Sequence, residues 1–503
     1  MTSSSKGVAN HLQYILALDQ GTTSSRALLI DQWGRVAAMG QRDLSQRYPQ
    51  PGWVEHDPEE IWFTEWASIQ DCLRQMPEAA DHIVGIGIAN QRETTILWER
   101  TTGKPVHHAI VWQCRRTAAA CQSLQDAGYG PLFFEKTGLV LDPYFSGTKV
   151  AWLLDHVPGL RARAEAGEIL FGTVDSWLVY QLTGGALHVT DPSNASRTLM
   201  YNIHTMDWDD QLLEILRIPR GMCPKVVDSS GIVGLTERRW FGREIPISGI
   251  AGDQQAALFG QGCISPGMAK NTYGTGSFVL MNVGERPVSS SHGLITTIAW
   301  SMEGRTQYAL EGSIFSTGAV VQWLRDELNM IGRAEESEAL ARTVPDTGGV
   351  YLVPAFVGLG APYWDSEARA LITGMTRGTT RAHIVRAALE SIAYQTRDVL
   401  QAMQEDCRMP LDVLRVDGGA TRNAFLMQWQ ADVLGYPVER ARNPETTALG
   451  VAFMAGIGCG LWQSVTDIHA GERFDPPFVP TMGATQRDAL YAGWKDAVRR
   501  ARA

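Results

Sequence analysis

Eleven residues, Leu16-Ala17-Leu18-Asp19-Gln20-Gly21-Thr22-Thr23-Ser24-Ser25-Arg26, constrain this chain more than any other stretch. Apolar runs flank the turn within it, Tyr14 to Leu18 before and Ala27 to Ile30 after, and both are hydrophobic on either face. Such runs predict two buried strands joined by a tight turn. The turn carries Gly21, four hydroxyl residues and Arg26, and Asp19 ends the first run. Hydroxyls and backbone N–H groups around a glycine suit phosphate oxygens, because glycine lets the backbone approach closely. An aspartate beside them can hold a cation that neutralises those oxygens. An ordinary polar hairpin turn accounts for the same residues.

At 503 residues the chain exceeds one core, and two to three domains are expected. The polar start, Met1 to Asn10, lacks the apolar stretch of a signal peptide. The most apolar long run, Gly450 to Trp462, is broken by glycines and too short to cross a bilayer, so no membrane insertion is expected. From Thr447 to Gly458, Ala and Gly alternate with larger residues, which predicts a tightly packed helix. Seven scattered cysteines without a Cys-x-x-Cys pair read as reduced thiols of a cytoplasmic protein. A net charge of −10 argues against nucleic acid as the main partner.

Asp57-Pro58-Glu59-Glu60 predicts a helix start, and Trp62, Trp66, Ile69 and Leu73 its buried face. Ile83 to Ala89 is then a strand, giving a β-β-β-α-β order, and Ile110 to Gln113 a further short strand. The first of these ends in Asn90-Gln91-Arg92-Glu93-Thr94-Thr95, polar residues where open α/β sheets place ligands. Arg92 beside Glu93 offers donors next to an acceptor, suited to neighbouring hydroxyls; a surface ion pair is the alternative. Gly249 to Gln255 ends a strand and opens a helix, putting Asp253 near a helix N-terminus. There it serves either as general base to a hydroxyl or as a plain cap.

Gly274-Thr275-Gly276-Ser277 repeats Gly21-Thr22-Thr23-Ser24 253 positions later, close to half the chain. Duplication predicts two similar domains, 1–262 and 263–503, each with a phosphate-facing hairpin. Tyr144 to Leu153 and Ala370 to Met375 with His383 to Glu390 are the two signatures by which the chain resembles the FGGY family of carbohydrate kinases. Within that family the members acting on glycerol are most similar. Asn90 to Thr95, Trp112 to Arg116, Asp142 to Lys149, Gly249 to Gly260, Lys270 to Gly276, Gly358 to Asp365 and Arg415 to Ala420 carry that likeness.

The resemblance implies an α/β fold of two duplicated ribonuclease H-like domains, of the actin-like ATPase kind, around a central cleft. It implies ATP and Mg2+, glycerol as acceptor, Asp253 as base, and a homo-oligomer, dimer or tetramer. It assigns polyol contacts to Arg92, Glu93, Tyr144, Asp253 and Gln254, with Trp112 and Phe278 as apolar walls. Thr22, Thr23, Ser24 and Arg26 fall to the γ-phosphate, and Asp19 to Mg2+ through water. Thr275, Gly318, Gln322, Gly419 and Asn423 fall to the rest of the nucleotide. Glu237 to Arg243 departs from the Gly-rich, Arg-containing loop where bacterial members bind a sugar bisphosphate. Walker A, Gly-x-Gly-x-x-Gly, His-Glu-x-x-His and Gly-x-Ser-x-Gly motifs are absent from the sequence. An actin-like nucleotide-gated scaffold would need the phosphate turns but has no use for the Arg92, Glu93, Tyr144 and Asp253 cluster. A kinase of a longer polyol is the nearer alternative.

Overall fold

In the computed structural model, which describes residues 12–464, 467 and 473–502, the opening hairpin forms as its apolar runs predict. Strands β1 (Tyr14–Gln20) and β2 (Ser24–Asp31) pair antiparallel with Asp19 opposite Arg26, and β3 (Val36–Asp43) joins β2. Strand β4 (Ile83–Asn90) runs parallel to β1, and β5 (Pro246–Gly252) parallel to β4. The register aligns Gln20, Asn90 and Gly252 in one row. Three parallel strands therefore end at the same level, and the residues after them leave from one edge.

Helix α1 (Pro58–Gln75) backs the hairpin. Its cap is the predicted one, Asp57 accepting from Glu59 N at 3.0 Å with Pro58 in the first turn, worth about 1 kcal/mol. Its fully buried face differs from the predicted one. That face runs through Ile61, Glu65, Ser68, Ile69 and Cys72, whereas Trp62, Trp66 and Leu73 are only partly buried. The tryptophans pack instead on Trp240, at 4.8 and 4.9 Å between ring centroids. Polar groups of this helix meet the hairpin at Ser25. Ser68 Oγ donates to Ser25 O at 2.9 Å, and the Thr64 and Ser25 hydroxyls bond at 2.8 Å.

In the second half, β6 (Ala269–Tyr273) and β7 (Ser277–Gly284) form a hairpin, and β8 (Arg305–Ile314) joins β7. β9 (Leu414–Asp417) lies parallel to β6, and β10 (Val438–Arg440) parallel to β9. The order β8-β7-β6-β9-β10 repeats β3-β2-β1-β4-β5 with the same directions. By internal contacts the chain divides after Gly260, but Trp300–Thr306 and residues 447–464 pack with the first unit, so neither unit is one continuous stretch. Close approach explains the second return. A Cβ on Gly87 of β4 would meet Val451 O at 2.5 Å, and one on Gly249 of β5 would meet Ala455 N at 2.7 Å. Strands without side chains let the helix Thr446–Gly458 lie directly on them.

Glu65 supplies a test of the α1 packing. Neither of its carboxyl oxygens has a hydrogen-bond partner among the described residues. Burial pushes the carboxyl well above its usual range, and the charge of Asp19 adds to the effect. A carboxyl held up in the folded state but ordinary in the unfolded chain makes stability fall as pH rises between the two. Glu65→Gln is therefore expected to melt several degrees above wild type at about pH 8, with the difference closing toward about pH 4. Thermal denaturation across that range checks it; a pH-independent difference would mean that Glu65 keeps one charge state throughout.

Candidate active site

Arg92 and Glu93 follow the end of β4, and both are buried, at 3% and 1% exposure, which removes the surface ion pair as an explanation. Arg92 is a hub. Its Nη2 donates to the Tyr144 hydroxyl at 3.3 Å and its Nη1 to Gln255 Oε1 at 3.2 Å. Its Nε stands 3.4 Å from Asp253 Oδ1 and 3.7 Å from Glu93 Oε1. Glu93 takes a left-handed backbone, φ 61°, which costs a non-glycine residue about 1–3 kcal/mol and persists where the surroundings enforce it. The Ser146 hydroxyl and the Lys149 amine enforce it by donating to Glu93 O, at 3.0 and 3.3 Å. Desolvation lowers the Lys149 amine to about 8, the Glu93 charge opposing it.

Asp253 opens helix α2 (Asp253–Gly260), accepts from Gln254 N at 2.7 Å, and keeps its carboxylate 29% exposed. It is thus both helix-starting and accessible. Trp112 is not on a strand: the short strand ends at Ile110, and Trp112 N donates to the Thr94 hydroxyl at 3.3 Å instead of to a ladder. Its indole N–H donates to Thr22 Oγ1 at 2.9 Å, and its ring stands edge-on to Tyr144 at 5.6 Å. The first unit thus brings Arg92, Glu93, Trp112, Tyr144, Asp253 and Gln254 around one edge. Phe278 belongs to the second unit, half-buried on β7.

In the first hairpin, Gly21 N donates to Ser24 O at 2.9 Å and Gln91 Nε2 to Gly21 O at 3.0 Å, which ties the turn to the residues after β4. Thr23 is exposed, Thr22 half-buried and Ser24 buried. Arg26 Nη1 lies 3.9 Å from Asp19 Oδ2. The Asp19 carboxylate keeps 12% exposure beside the turn, and a carboxylate oxygen there would suit a hydrated Mg2+.

In the second unit, a cavity of about 430 Å3 is bordered by Thr275, Gly318, Gln322, Gly419 and Asn423, five residues drawn from three separate stretches. Gly318 opens helix α3 (Gly318–Asp326), and its N–H donates to Gly274 O at 3.0 Å. The turn after β9 separates two kinds of glycine. Gly418, φ 93°, packs against the Tyr273 backbone, so the fold itself demands it. A Cβ on Gly419 would meet nothing within 4 Å, so packing does not require this glycine, which borders the cavity. Asn423 caps helix α4 (Ala424–Leu434) by accepting from Leu426 N at 2.9 Å, and its Nδ2 donates to Ser337 Oγ at 3.3 Å.

Sequence spacing gives no sign of Arg197, whose Nε lies 2.6 Å from Glu93 Oε1 with both side chains buried. The two are 104 residues apart, and only the fold joins them. Gln255, against Arg92, had a signal available: it follows Asp253-Gln254 on the same helix start.

Residues 14–260 match the N-terminal domain of the FGGY family of carbohydrate kinases, and residues 269–459 its C-terminal domain. The chain is 58% identical over 489 residues to glycerol kinase 2 of Thermotoga maritima, covering 97% of this chain and 99% of that one. It is 58% identical over 492 residues to glycerol kinase of Geobacillus kaustophilus, covering 98% and 99%. Its fold superposes on the crystal structure of Plasmodium falciparum glycerol kinase with ADP at a TM-score of 0.93 and 36% identity, covering 97% and 98%. The duplicated actin-like architecture is therefore that of these kinases.

Gly318→Ala tests the second-unit cavity. The added Cβ would meet Gly274 O at 2.7 Å and press on the hairpin beside Thr275. If nucleotide sits there, ADP affinity measured by calorimetry is expected to fall about tenfold, near 1.4 kcal/mol. Unchanged ADP affinity would detach the cavity from the nucleotide.

Proposed function

We propose, from the premise that the chain belongs to the FGGY family of carbohydrate kinases, that it transfers the γ-phosphoryl group of Mg2+-ATP to glycerol, giving sn-glycerol 3-phosphate. One observation carries the acceptor side. Arg92 and Glu93, buried and strained, stand with Tyr144 beside an accessible Asp253 whose carboxylate is 3.4 Å from Arg92. Donors from Arg92 and the Tyr144 hydroxyl and an acceptor from Glu93 suit adjacent hydroxyls of a short polyol. Trp112 offers its ring to the carbons, and Phe278 is proposed as the second wall.

Asp253 takes the proton of the terminal hydroxyl as that oxygen attacks the γ-phosphorus. Arg92, tied to both Asp253 and Glu93, keeps base and substrate in one frame, which is the positioning part of catalysis. Thr22, Thr23, Ser24 and Arg26 would face the oxygens of the transferring group, while Thr275, Gly318, Gln322, Gly419 and Asn423 would hold the remainder of the nucleotide. Asp19 would hold Mg2+ through water, and the ion when bound supplies positive charge to the phosphates. The cluster around Arg92 has no use in a nucleotide-gated scaffold, which favours the kinase. Family membership also carries the proposals of a homo-oligomer and a cytoplasmic location. No helix among the described residues is long and apolar enough to cross a membrane.

An ADP-release assay over glycerol, 1,2-propanediol, erythritol and xylitol tests the substrate. Glycerol is expected to give the highest kcat/KM, because a site built to bond hydroxyls disfavours analogues that leave its groups unpaired. A preference for erythritol or xylitol would move the assignment to another member of the family. Asp253→Asn is expected to lower kcat by about 10²-fold or more, with ADP affinity unchanged. Turnover at the wild-type rate would reduce Asp253 to a helix-starting residue.

A further inference from the structure

Asp191 to Arg197 forms a short bridge whose polar side chains reach the residues beside the polyol site. Asp191 starts the helical turn Pro192–Ala195, accepting from Ser193 N at 3.1 Å and Asn194 N at 2.9 Å. The Ser193 hydroxyl donates to Asp191 Oδ1 at 2.9 Å and accepts from Gly252 N at 2.9 Å, one residue before Asp253. Asn194 and Asn90 exchange two amide bonds of 3.0 Å each, at the strand end leading to Arg92. Arg197 then meets Glu93 at 2.6 Å, and its guanidinium stands 5.6 Å from the Tyr144 ring centroid and 5.3 Å from that of Phe145. Asp191, Ser193, Asn194 and Arg197 are all fully buried.

Side chains so enclosed have no freedom to rearrange singly. A buried carboxylate held at one oxygen by a buried guanidinium points in one direction, and losing the partner leaves an uncompensated charge. Arg197 reaches Glu93 and the rings of Tyr144 and Phe145. Ser193 reaches the opposite side, the peptide that introduces Asp253.

We propose that Asp191–Arg197 is a positioning segment of the polyol site, in which Arg197 aims the Glu93 carboxylate and Ser193 sets the peptide before Asp253. The proposal rests on the polyol reading of that site. It makes Arg197 and Ser193 positioning residues with separable effects. Glu93 binds the acceptor alike in ground and transition states, so disturbing it raises KM; displacing the base lowers kcat.

Arg197→Met is expected to raise the glycerol KM about tenfold or more while kcat and the ATP KM stay within about twofold. Acting through Glu93, it should add less than about twofold in a Glu93→Gln background, since coupled residues are not additive. The same factor in both backgrounds, or a parallel rise in ATP KM, would overturn the proposal.

Should Arg197→Met not yield folded protein, Arg197→Lys carries the same two-background comparison, because it keeps the charge and loses the fixed geometry. Ser193→Ala is expected to lower kcat about tenfold with glycerol KM within about twofold; unchanged kcat would overturn the Ser193 half. If wild type prefers a longer polyol, the glycerol reading fails separately and the comparison is run with that polyol.

Discussion

Everything at the first-unit site depends on one register, Gln20 beside Asn90 beside Gly252. Because the three strands are parallel, their next residues emerge together, and a one-residue slip in either pairing would turn its side chains to the other face. The slip is prevented by burial: β1 is buried except for Asp19, and the last six residues of β5 are buried throughout. The same requirement accounts for the glycines of β4 and β5, which admit a helix from late in the chain onto that sheet. A sheet covered this closely leaves its strand ends as the place where polar groups gather.

Much of this was legible in local sequence. The hairpin of Gly21, the capped start at Asp57-Pro58 and the polar run after Ala89 each rest on residue types within a few positions of one another. The echo at Gly274 foretold the second hairpin, and the topology repeats around it strand for strand. What was not legible depends on distance along the chain. Glu65 lies in the buried stripe of a helix whose predicted buried face names only Trp62, Trp66, Ile69 and Leu73, and nothing in its immediate sequence marks a carboxyl for burial. Arg197 meets Glu93 across 104 positions, and neither neighbourhood carries a mark of the other. Trp112 looks like the end of an apolar strand, but its N–H bonds to Thr94 and its indole to Thr22.

The buried charges around Arg92 follow one rule. Arg92, Glu93 and Arg197 are each removed from water, and each is given an opposite charge within 2.6 to 3.7 Å. A buried pair of this sort is a poor source of stability, because desolvation offsets most of its attraction. It is a good source of direction, and the left-handed backbone of Glu93 points the same way: strain is accepted where orientation matters. The hydroxyl and amine that bond to Glu93 O fix the peptide, and the guanidinium of Arg197 fixes the carboxylate.

Duplication supplied two copies of one topology, and the copies diverged at corresponding positions. With Gly21 matched to Gly274, Asp19 corresponds to Thr272, so only the first copy keeps a carboxylate at that strand end. The register of the parallel neighbours continues the comparison. Asp19 lies beside Ala89 in the first copy and Thr272 beside Asp417 in the second, so Asn90-Gln91 corresponds to Gly418-Gly419. At this point one copy places amide side chains that lead into Arg92 and Glu93, and the other places two glycines. Side chains suit a small acceptor whose hydroxyls must be met individually. Bare backbone suits a larger ligand that must lie close along the chain. On the proposed function, the acceptor falls to the copy with side chains at the strand end and the nucleotide to the copy with bare backbone there.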